Sequence, residues 1–486
     1  MRAMPSSLKL LFVAAECAPL AKVGGLGDVV GALPAALRAL GHDARVALPY
    51  HRVIDQAKYQ PRYIADFEVP TRDGALSATV HETEYGGVPI YLVGGPLFLG
   101  RTRIYGEMWA DWTDYAFFSM AALGLPQALD WRPDVVHAHD WHAAATAGWM
   151  GTHGRDHPFY APAASVYTFH NLPYTGEGGG DALYRFGLGA SPAMWLPESL
   201  RWSPMALGLS YGDMVSTVSP GYAGESLTPK HGRGLEGLLW ARLDRFAGIL
   251  NGIDCAVWDP ATDQNLEANY DADSLERRIE NKRALQRDSR LLVRDEVPVL
   301  GAVFRLDPQK GVSLLLQILP VLLSERDVQV VILGSGQQAY EDALAGLAYR
   351  FPDRVTARLE FNAAAAARIY AGADIFLMPS LYEPCGLGQM IALRYGAVPL
   401  VRATGGLKDT VQNYDEPGEA GTGFVFNDFT ASALLGAIRW ALSLYPDRRR
   451  WRNLQLRGMA QDFSWEKSAR AYQSLYQQAI AFRRAA

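Results

Sequence analysis

The sequence predicts an α/β protein made of two doubly wound, Rossmann-like domains. At 486 residues the chain exceeds what one hydrophobic core serves. Short apolar runs alternate with helical patterns, as in a mainly parallel sheet covered on both faces. The series begins twice, near Leu8 and again near Val297. Two such domains imply a deep ligand cleft between them, at the carboxyl ends of the strands.

In the first domain Leu8–Ala15 reads as a buried strand. A loop through Gly27 follows, then a helix over Asp28–Leu40, with Gly41 placed to end it in a left-handed conformation. Arg45–Leu48 reads as a second strand, and Arg62–Val93 alternates apolar and polar residues about a Gly86-Gly87 hairpin turn. Buried strands return at Asp134–His139, Ala164–Phe169 and Asp213–Val218. The polar stretch Asp259–Asp288 marks the approach to the second domain. Strands are expected there at Val297–Phe304, Val328–Leu333, Val355–Leu359, Asp374–Met378 and Val398–Val401, with helices over Ser313–Ser324, Ala339–Tyr349 and Gly386–Tyr395. A last helix, Trp465–Arg483, is compatible with either domain.

Composition narrows the function classes. Hydrophobic residues make up 49% and charged residues 20%, as in an ordinary soluble globular protein. The net charge of −5, with both signs interspersed, leaves no broad footprint for nucleic acid. Cys17, Cys255 and Cys385 stand far apart, so neither a disulfide framework nor a cysteine zinc site is indicated, and a reducing compartment fits. Leu8–Ala15 is too short to span a membrane. It runs straight into a glycine-rich loop, as a first core strand does and a signal peptide does not.

Five segments carry candidate chemistry, all at strand ends. Lys22-Val-Gly-Gly25-Leu-Gly-Asp28 offers a close backbone approach, unpaired N–H groups and a cation to an anion. It matches neither the Walker nor the dinucleotide fingerprint, and a tight strand-to-helix turn is its plain alternative. In His137-Ala-His139-Asp140-Trp-His142 the two strand histidines share a face. Asp140 begins the following loop, where it and His142 can orient sugar hydroxyls. The same His-x-His also suits a metal hydrolase, although a core-packed His137 fits better. His170, Asn171 and Tyr174, at the next strand end, can hydrogen-bond and stack on a sugar. Arg305 and Lys310 can hold phosphate oxygens, the first in a fork, and offset charge growing on a diphosphate leaving group. In Glu383-Pro-Cys385-Gly386-Leu387-Gly388 a carboxylate precedes the N–H groups of a helix and can bind a hexose beside a phosphate. Thr404-Gly405-Gly406 adds a small-residue turn. Cys385 reads as a packing residue.

In this order and at these separations, Lys22–Asp28, His137–His142, Asn251-Gly252-Ile253-Asp254, Glu383–Leu387 and Ala392–Tyr395 resemble bacterial glycogen synthase and plant starch synthase over nearly the whole chain. The resemblance implies the glycosyltransferase-B architecture. Its acceptor-side domain would span 1–253, its nucleotide-sugar domain 254–463, and residues 464–486 would form a helix returning to the first domain. It implies a cytoplasmic, retaining, metal- and cofactor-free enzyme that takes ADP-glucose and an α-1,4-glucan. Lys22, Gly25, Asp28 and Asn251 would lie toward the donor, Arg305 and Lys310 would hold the phosphates, and Glu383 would bind the transferred glucose. Cys385, Gly386, Leu387, Gly388, Thr404 and Gly405 would lie alongside. Asp140, His142, His170, Asn171 and Tyr174 would line the acceptor side, with Asp140, His170, Arg305, Lys310 and Glu383 serving catalysis. The chain departs from the family at Gly388, usually threonine, and Leu381, usually arginine. Ile391 stands where many retaining relatives carry a second glutamate, as in the synthase branch.

The expected chemistry is front-face displacement, with Asp140 and His170 positioning groups rather than acting as an acid/base pair. A covalent route through Glu383 is the alternative within the same enzyme. Rival readings are a hydrolase using His137, His139 and His170, a silent glucan-binding protein, and a related transferase with another acceptor such as glucose 1-phosphate.

Overall fold

The computed structural model describes residues 7–98, 102–415, 417 and 419–485, with the backbone alone at 108 and 109. The chain forms two compact units. One joins the residues up to Gly252 to those from Trp465 onward, and the other is Ile253–Ser464.

The first unit is built on nine strands: β1 (Lys9–Val13), β2 (Asp43–Pro49), β3 (Arg62–Thr71), β4 (Gly74–Tyr85), β5 (Val88–Gly94), β6 (Val135–His139), β7 (Ala164–Phe169), β8 (Met214–Thr217) and β9 (Phe246–Gly248). Their order is β3-β4-β5-β2-β1-β6-β7-β8-β9. All neighbours are parallel except β3–β4 and β4–β5, the hairpin edge. Central strands of a parallel sheet are covered on both faces. This is why β6 and β7 are buried at every residue whereas β3 alternates. From β1 the chain winds one way to β2 and β5 and the other way to β6, so the order reverses between β1 and β6.

The terminal helix Trp465–Ala485 packs on the first unit against the helix Gly25–Ala39 and against β6, β7 and β8. Ser468 Oγ donates to the Leu250 carbonyl, and Arg483 donates to the carbonyls of Met150, Gly154 and Ala161.

The second unit holds β10 (Val299–Val303), β11 (Gln329–Leu333), β12 (Val355–Arg358), β13 (Ile375–Met378), β14 (Val398–Arg402) and β15 (Phe424–Phe426). They are all parallel, in the order β12-β11-β10-β13-β14-β15. Here the reversal falls between β10 and β13. Helices Val312–Glu325 and Ala431–Leu444 pack together with a leucine-rich core.

Two local expectations are corrected. Asp140 does not begin a loop but is the first residue of the helix Asp140–Gly151. Its φ of +55° turns the chain directly from strand to helix, a conformation that aspartate tolerates better than most side chains. The stretch Asp259–Asp288 is not merely an approach. Its end is the helix Arg278–Asp288, packed on the helix Ala363–Gly372. Among the described residues no helix is long and apolar enough to cross a membrane.

Candidate active site

In each unit the carboxyl ends of the strands on either side of the reversal form a mouth. There diverging connections leave backbone and side chains free to meet a ligand.

In the first unit the loop after β1 is organised by a residue the sequence reading missed. Glu16 is 3% exposed. Its Oε2 accepts from the N–H groups of Val23 (2.6 Å) and Gly24 (2.8 Å), and its Oε1 accepts from the Tyr105 hydroxyl at 2.5 Å. Two of the N–H groups that the sequence assigned to an anion are therefore committed to a carboxylate. A Cβ at Gly25 would stand in open space, so the loop remains approachable there. Lys22 Nζ meets Asp28 Oδ1 at 2.6 Å with both side chains reaching solvent. Burial raises the Asp28 pKa, and Lys22 opposes that shift.

Across the reversal, Asp140 Oδ1 accepts from the backbone N–H of His170 at 2.6 Å. Burial pushes its carboxyl up to about 7, with the charge of Glu16 adding to the shift. Burial holds His170 at about 3, so this imidazole is neutral at any working pH. His170 Nε2 lies 3.0 Å from His139 Nδ1. His137 is a core residue, bonded through Nδ1 to Tyr476 and through Nε2 to Thr168. The three histidines thus pair with hydroxyls and with one another instead of converging their lone pairs on one point, which counts against the hydrolase reading. The His142 ring is 8% exposed, stacked on Tyr105 at 4.8 Å and edge-on to Tyr115 at 4.6 Å, so it packs the mouth's wall. Tyr174 is exposed on the loop after β7. The buried Oδ1 atoms of Asn171 and Asn251 have no hydrogen-bond partner among the described residues, a costly state that a polar ligand would relieve. Asn251 stands at the end of the first unit's chain, beside the carbonyl that Ser468 caps.

In the second unit the loops after β10, β13 and β14 interlock. Asp307 caps the turn Pro308–Lys310, and Gly311, at φ +74°, presses against the Pro379 carbonyl where no Cβ would fit. Leu381 N–H donates to the Gln309 carbonyl at 2.7 Å. This brings Lys310 Nζ to 2.7 Å from Glu383 Oε2, which also accepts from Ser380 Oγ at 3.1 Å. Glu383 and Lys310 are largely buried, whereas Arg305 is 62% exposed and only 3.4 Å from Asp307. The sequence motifs that carry Lys310 and Glu383 are therefore one cluster. Gly406 N–H donates to the Glu383 carbonyl, and Gly405, at φ +46°, lies too close to that carbonyl for any side chain. Thr404 is buried at the start of this turn, and Cys385 is buried beside it. Gln389 Nε2 ties down the carbonyls of Cys385 and Gly386. Leu387 precedes the short helix Gly388–Arg394. At Gly388 a Cβ would stand 3.2 Å from the Phe376 ring and 3.3 Å from the Tyr370 hydroxyl. The missing side chain is thus matched by bulky neighbours.

Glu16 had one legible signal: like Asp140, Arg305 and Glu383, it follows a parallel strand's carboxyl end. Tyr105 had none, because its position depends on the fold of a distant loop.

The comparisons with known proteins agree with this layout. Residues 9–241 match the family model of the starch synthase catalytic domain, and residues 286–455 match that of glycosyl transferases group 1. A glycogen synthase of Moorella thermoacetica is 44% identical, with 99% of each chain covered. One from Anaeromyxobacter dehalogenans is 47% identical, covering 96% of this chain and 98% of its own. A solved catalytic domain of starch synthase IV from Arabidopsis thaliana, bound to ADP and acarbose, superposes with a TM-score of 0.90 at 33% identity, covering 98% of this chain and all of that one. The two units have the doubly wound domains of the glycosyltransferase-B architecture, and the chain belongs to the glycogen synthase and starch synthase family of glycosyltransferases.

Proposed function

We infer that the chain is a retaining glucosyltransferase that moves glucose from ADP-glucose to the 4-hydroxyl at the non-reducing end of an α-1,4-glucan, in the synthesis of glycogen. Family membership supports the reaction, and the ADP and acarbose bound by the starch synthase relative support the donor and acceptor. The observation that carries the assignment of roles is the Lys310–Glu383 contact at the β10/β13 mouth. A buried carboxylate suits two hexose hydroxyls, and an ammonium beside it suits the phosphate bonded to that hexose.

In this reading Glu383 holds the transferred glucose while Arg305 and Lys310 hold the diphosphate. Lys22, Gly25, Asp28, Asn251 and the turns at Cys385–Gly388 and Thr404-Gly405 complete the donor site. Asp140, His142, His170, Asn171 and Tyr174 serve the acceptor and sugar. The bond from C1 to the diphosphate oxygen stretches, and negative charge grows on the leaving group beside the two cations. The acceptor hydroxyl attacks C1 from the face the phosphate leaves and passes its proton to a phosphate oxygen. The products are ADP and a glucan one residue longer, with the anomeric configuration kept. His170 is held neutral and burial raises the Asp140 carboxyl well above the usual carboxylate range, so both are suited to orienting hydroxyls. The reading carries with it a cytoplasmic enzyme needing no cofactor.

The direct test incubates the protein with glycogen and either ADP-glucose or UDP-glucose in EDTA and measures diphosphate release. ADP release that depends on glycogen is expected. Glycogen binding without release of either diphosphate would sink the proposal.

A further inference from the structure

A buried line of hydrogen bonds runs behind the first unit's mouth. The Tyr476 hydroxyl lies 2.9 Å from His137 Nδ1, His137 Nε2 lies 2.6 Å from Thr168 Oγ1, and Thr168 Oγ1 lies 2.6 Å from Ser216 Oγ. That hydroxyl has no other hydrogen-bond partner among the described residues, so its proton goes to His137 Nδ1. His137 then carries its own proton on Nε2 and donates it to Thr168.

His139 stands against this ring, with centroids 4.0 Å apart, and stacks on Phe12. Its Nδ1 faces His170 Nε2 at 3.0 Å, while its own Nε2 is buried without a hydrogen-bond partner. Burial holds both imidazoles neutral, so a single proton lies across the contact between them. Were it His170's, the proton of His139 would sit on Nε2 as an N–H in a dry interior with no acceptor, a state that folded proteins rarely tolerate. If it is His139's, that orphan disappears, and the proton of His170 must sit on Nδ1, which has no protein partner among the described residues but, unlike His139 Nε2, is not sealed from solvent.

We propose that His139 is a positioning residue: by donating Nδ1–H to His170 Nε2, it fixes His170 in the Nδ1–H tautomer, a neutral hydrogen-bond donor to a hydroxyl oxygen of the glucosyl group. This assignment of a target rests on His170 lying in the sugar-binding mouth, as inferred above. The ring nitrogen one hydrogen bond away sets which nitrogen of a histidine is protonated. A donor of fixed direction that carries no charge orients a sugar without adding attraction for the diphosphate.

Full-length protein labelled with 15N-histidine tests this by long-range proton–nitrogen correlation, which separates protonated from bare ring nitrogens. His170 is assigned by the signals lost in His170→Gln. The expected spectrum has the His170 proton on Nδ1 from about pH 6 to 8. His139→Phe should release His170 into both tautomers and lower turnover about tenfold while leaving ADP affinity unchanged. His139→Asn, whose amide N–H takes the place of Nδ1–H, should restore most of the turnover. A proton on Nε2 of His170 in the unsubstituted protein overturns the proposal, even where His139→Phe does not fold. An Asn variant no better than the Phe variant, or an equal loss of ADP affinity, also overturns it. The spectrum is recorded without substrate. A chain that releases no diphosphate would therefore remove the function reading while leaving the tautomer assignment to stand or fall by itself.

Discussion

The mouth between β1 and β6 and the mouth between β10 and β13 arise from the same winding of strands, yet they hold opposite kinds of chemistry. In the first, Glu16 and Asp140 are packed among neutral histidines and tyrosines, and burial pushes Asp140 up to about 7. In the second, a carboxylate and an ammonium meet at 2.7 Å, with a largely exposed guanidinium on the same loop as the ammonium. The difference is what the proposed roles of the two mouths rest on. A site with raised carboxyl pKa and neutral imidazoles orients hydroxyl groups, whereas a site that keeps two cations at a strand end accepts a leaving anion.

The largest expected effect comes from breaking the second mouth. Lys310→Ala removes the cation assigned above to the departing diphosphate and should lower turnover by about 100- to 1000-fold, with glycogen affinity nearly unchanged. It also leaves Glu383 buried without its partner, so unfolding in urea should show a loss of about 2–4 kcal/mol. Unchanged turnover would refute the assignment of the diphosphate to this mouth.

Much of this layout could be read in the sequence because strands of a parallel sheet are continuous apolar runs, and ligands gather at their carboxyl ends. Asp140, His170, Arg305 and Glu383 are all found by that rule. The helix Arg278–Asp288 escaped because its buried face is charged. Arg278 donates to the carbonyls of Tyr370, Ala373 and Tyr395, and Lys282 pairs with Asp374 at 2.8 Å. A face satisfied by distant carbonyls has no apolar period to detect. The commitment of the Val23 and Gly24 N–H groups to Glu16 escaped for a similar reason. Residue spacing reports that a loop has donors to offer but not which acceptor in the folded chain already holds them. The union of Lys310 with Glu383 is a tertiary contact between loops that lie far apart in the chain, and no local pattern states it.

The next effect breaks the first mouth in the opposite sense. Asp140 has a folded-state pKa near 7, above the unfolded value near 3.9. Its protonated form is favoured by folding, so its contribution to stability is complete below about pH 4 and is lost as pH rises through 7. Asp140→Asn keeps an acceptor for the His170 N–H without the ionisation. It should be more stable than the unsubstituted protein by about 1–3 kcal/mol at pH 8, with the gain vanishing near pH 4, while glucosyl transfer falls. A melting-temperature difference independent of pH would contradict the burial of this carboxyl.

A smaller change links the two carboxylates of that mouth. Glu16→Gln preserves shape but replaces charge-assisted hydrogen bonds to Val23 and Gly24 by neutral ones, each weaker by about 1 kcal/mol. The loop that presents Lys22 and Gly25 should loosen, raising KM for the nucleotide-sugar more than it lowers kcat. Because the charge of Glu16 raises the Asp140 pKa, its removal should also move the Asp140 titration to lower pH. A KM effect without that movement would separate the loop's shape from its field.

The smallest expected change in stability belongs to Arg305, and it sharpens the comparison within the second mouth itself. Lys310 is held by a buried carboxylate. Arg305 is 62% exposed, and among the described residues its one ion pair is the 3.4 Å approach to Asp307. An exposed pair of that geometry contributes little, so Arg305→Ala should leave stability within about 0.5 kcal/mol. Its proposed role is to grip a donor phosphate with a fork of two N–H groups that lysine does not reproduce. Turnover should therefore drop for Arg305→Ala and for Arg305→Lys alike, with unfolding curves that overlay the unsubstituted protein. A variant that loses stability but keeps its rate would show the reverse: a guanidinium that props up the β10 loop and has no part in holding the leaving group.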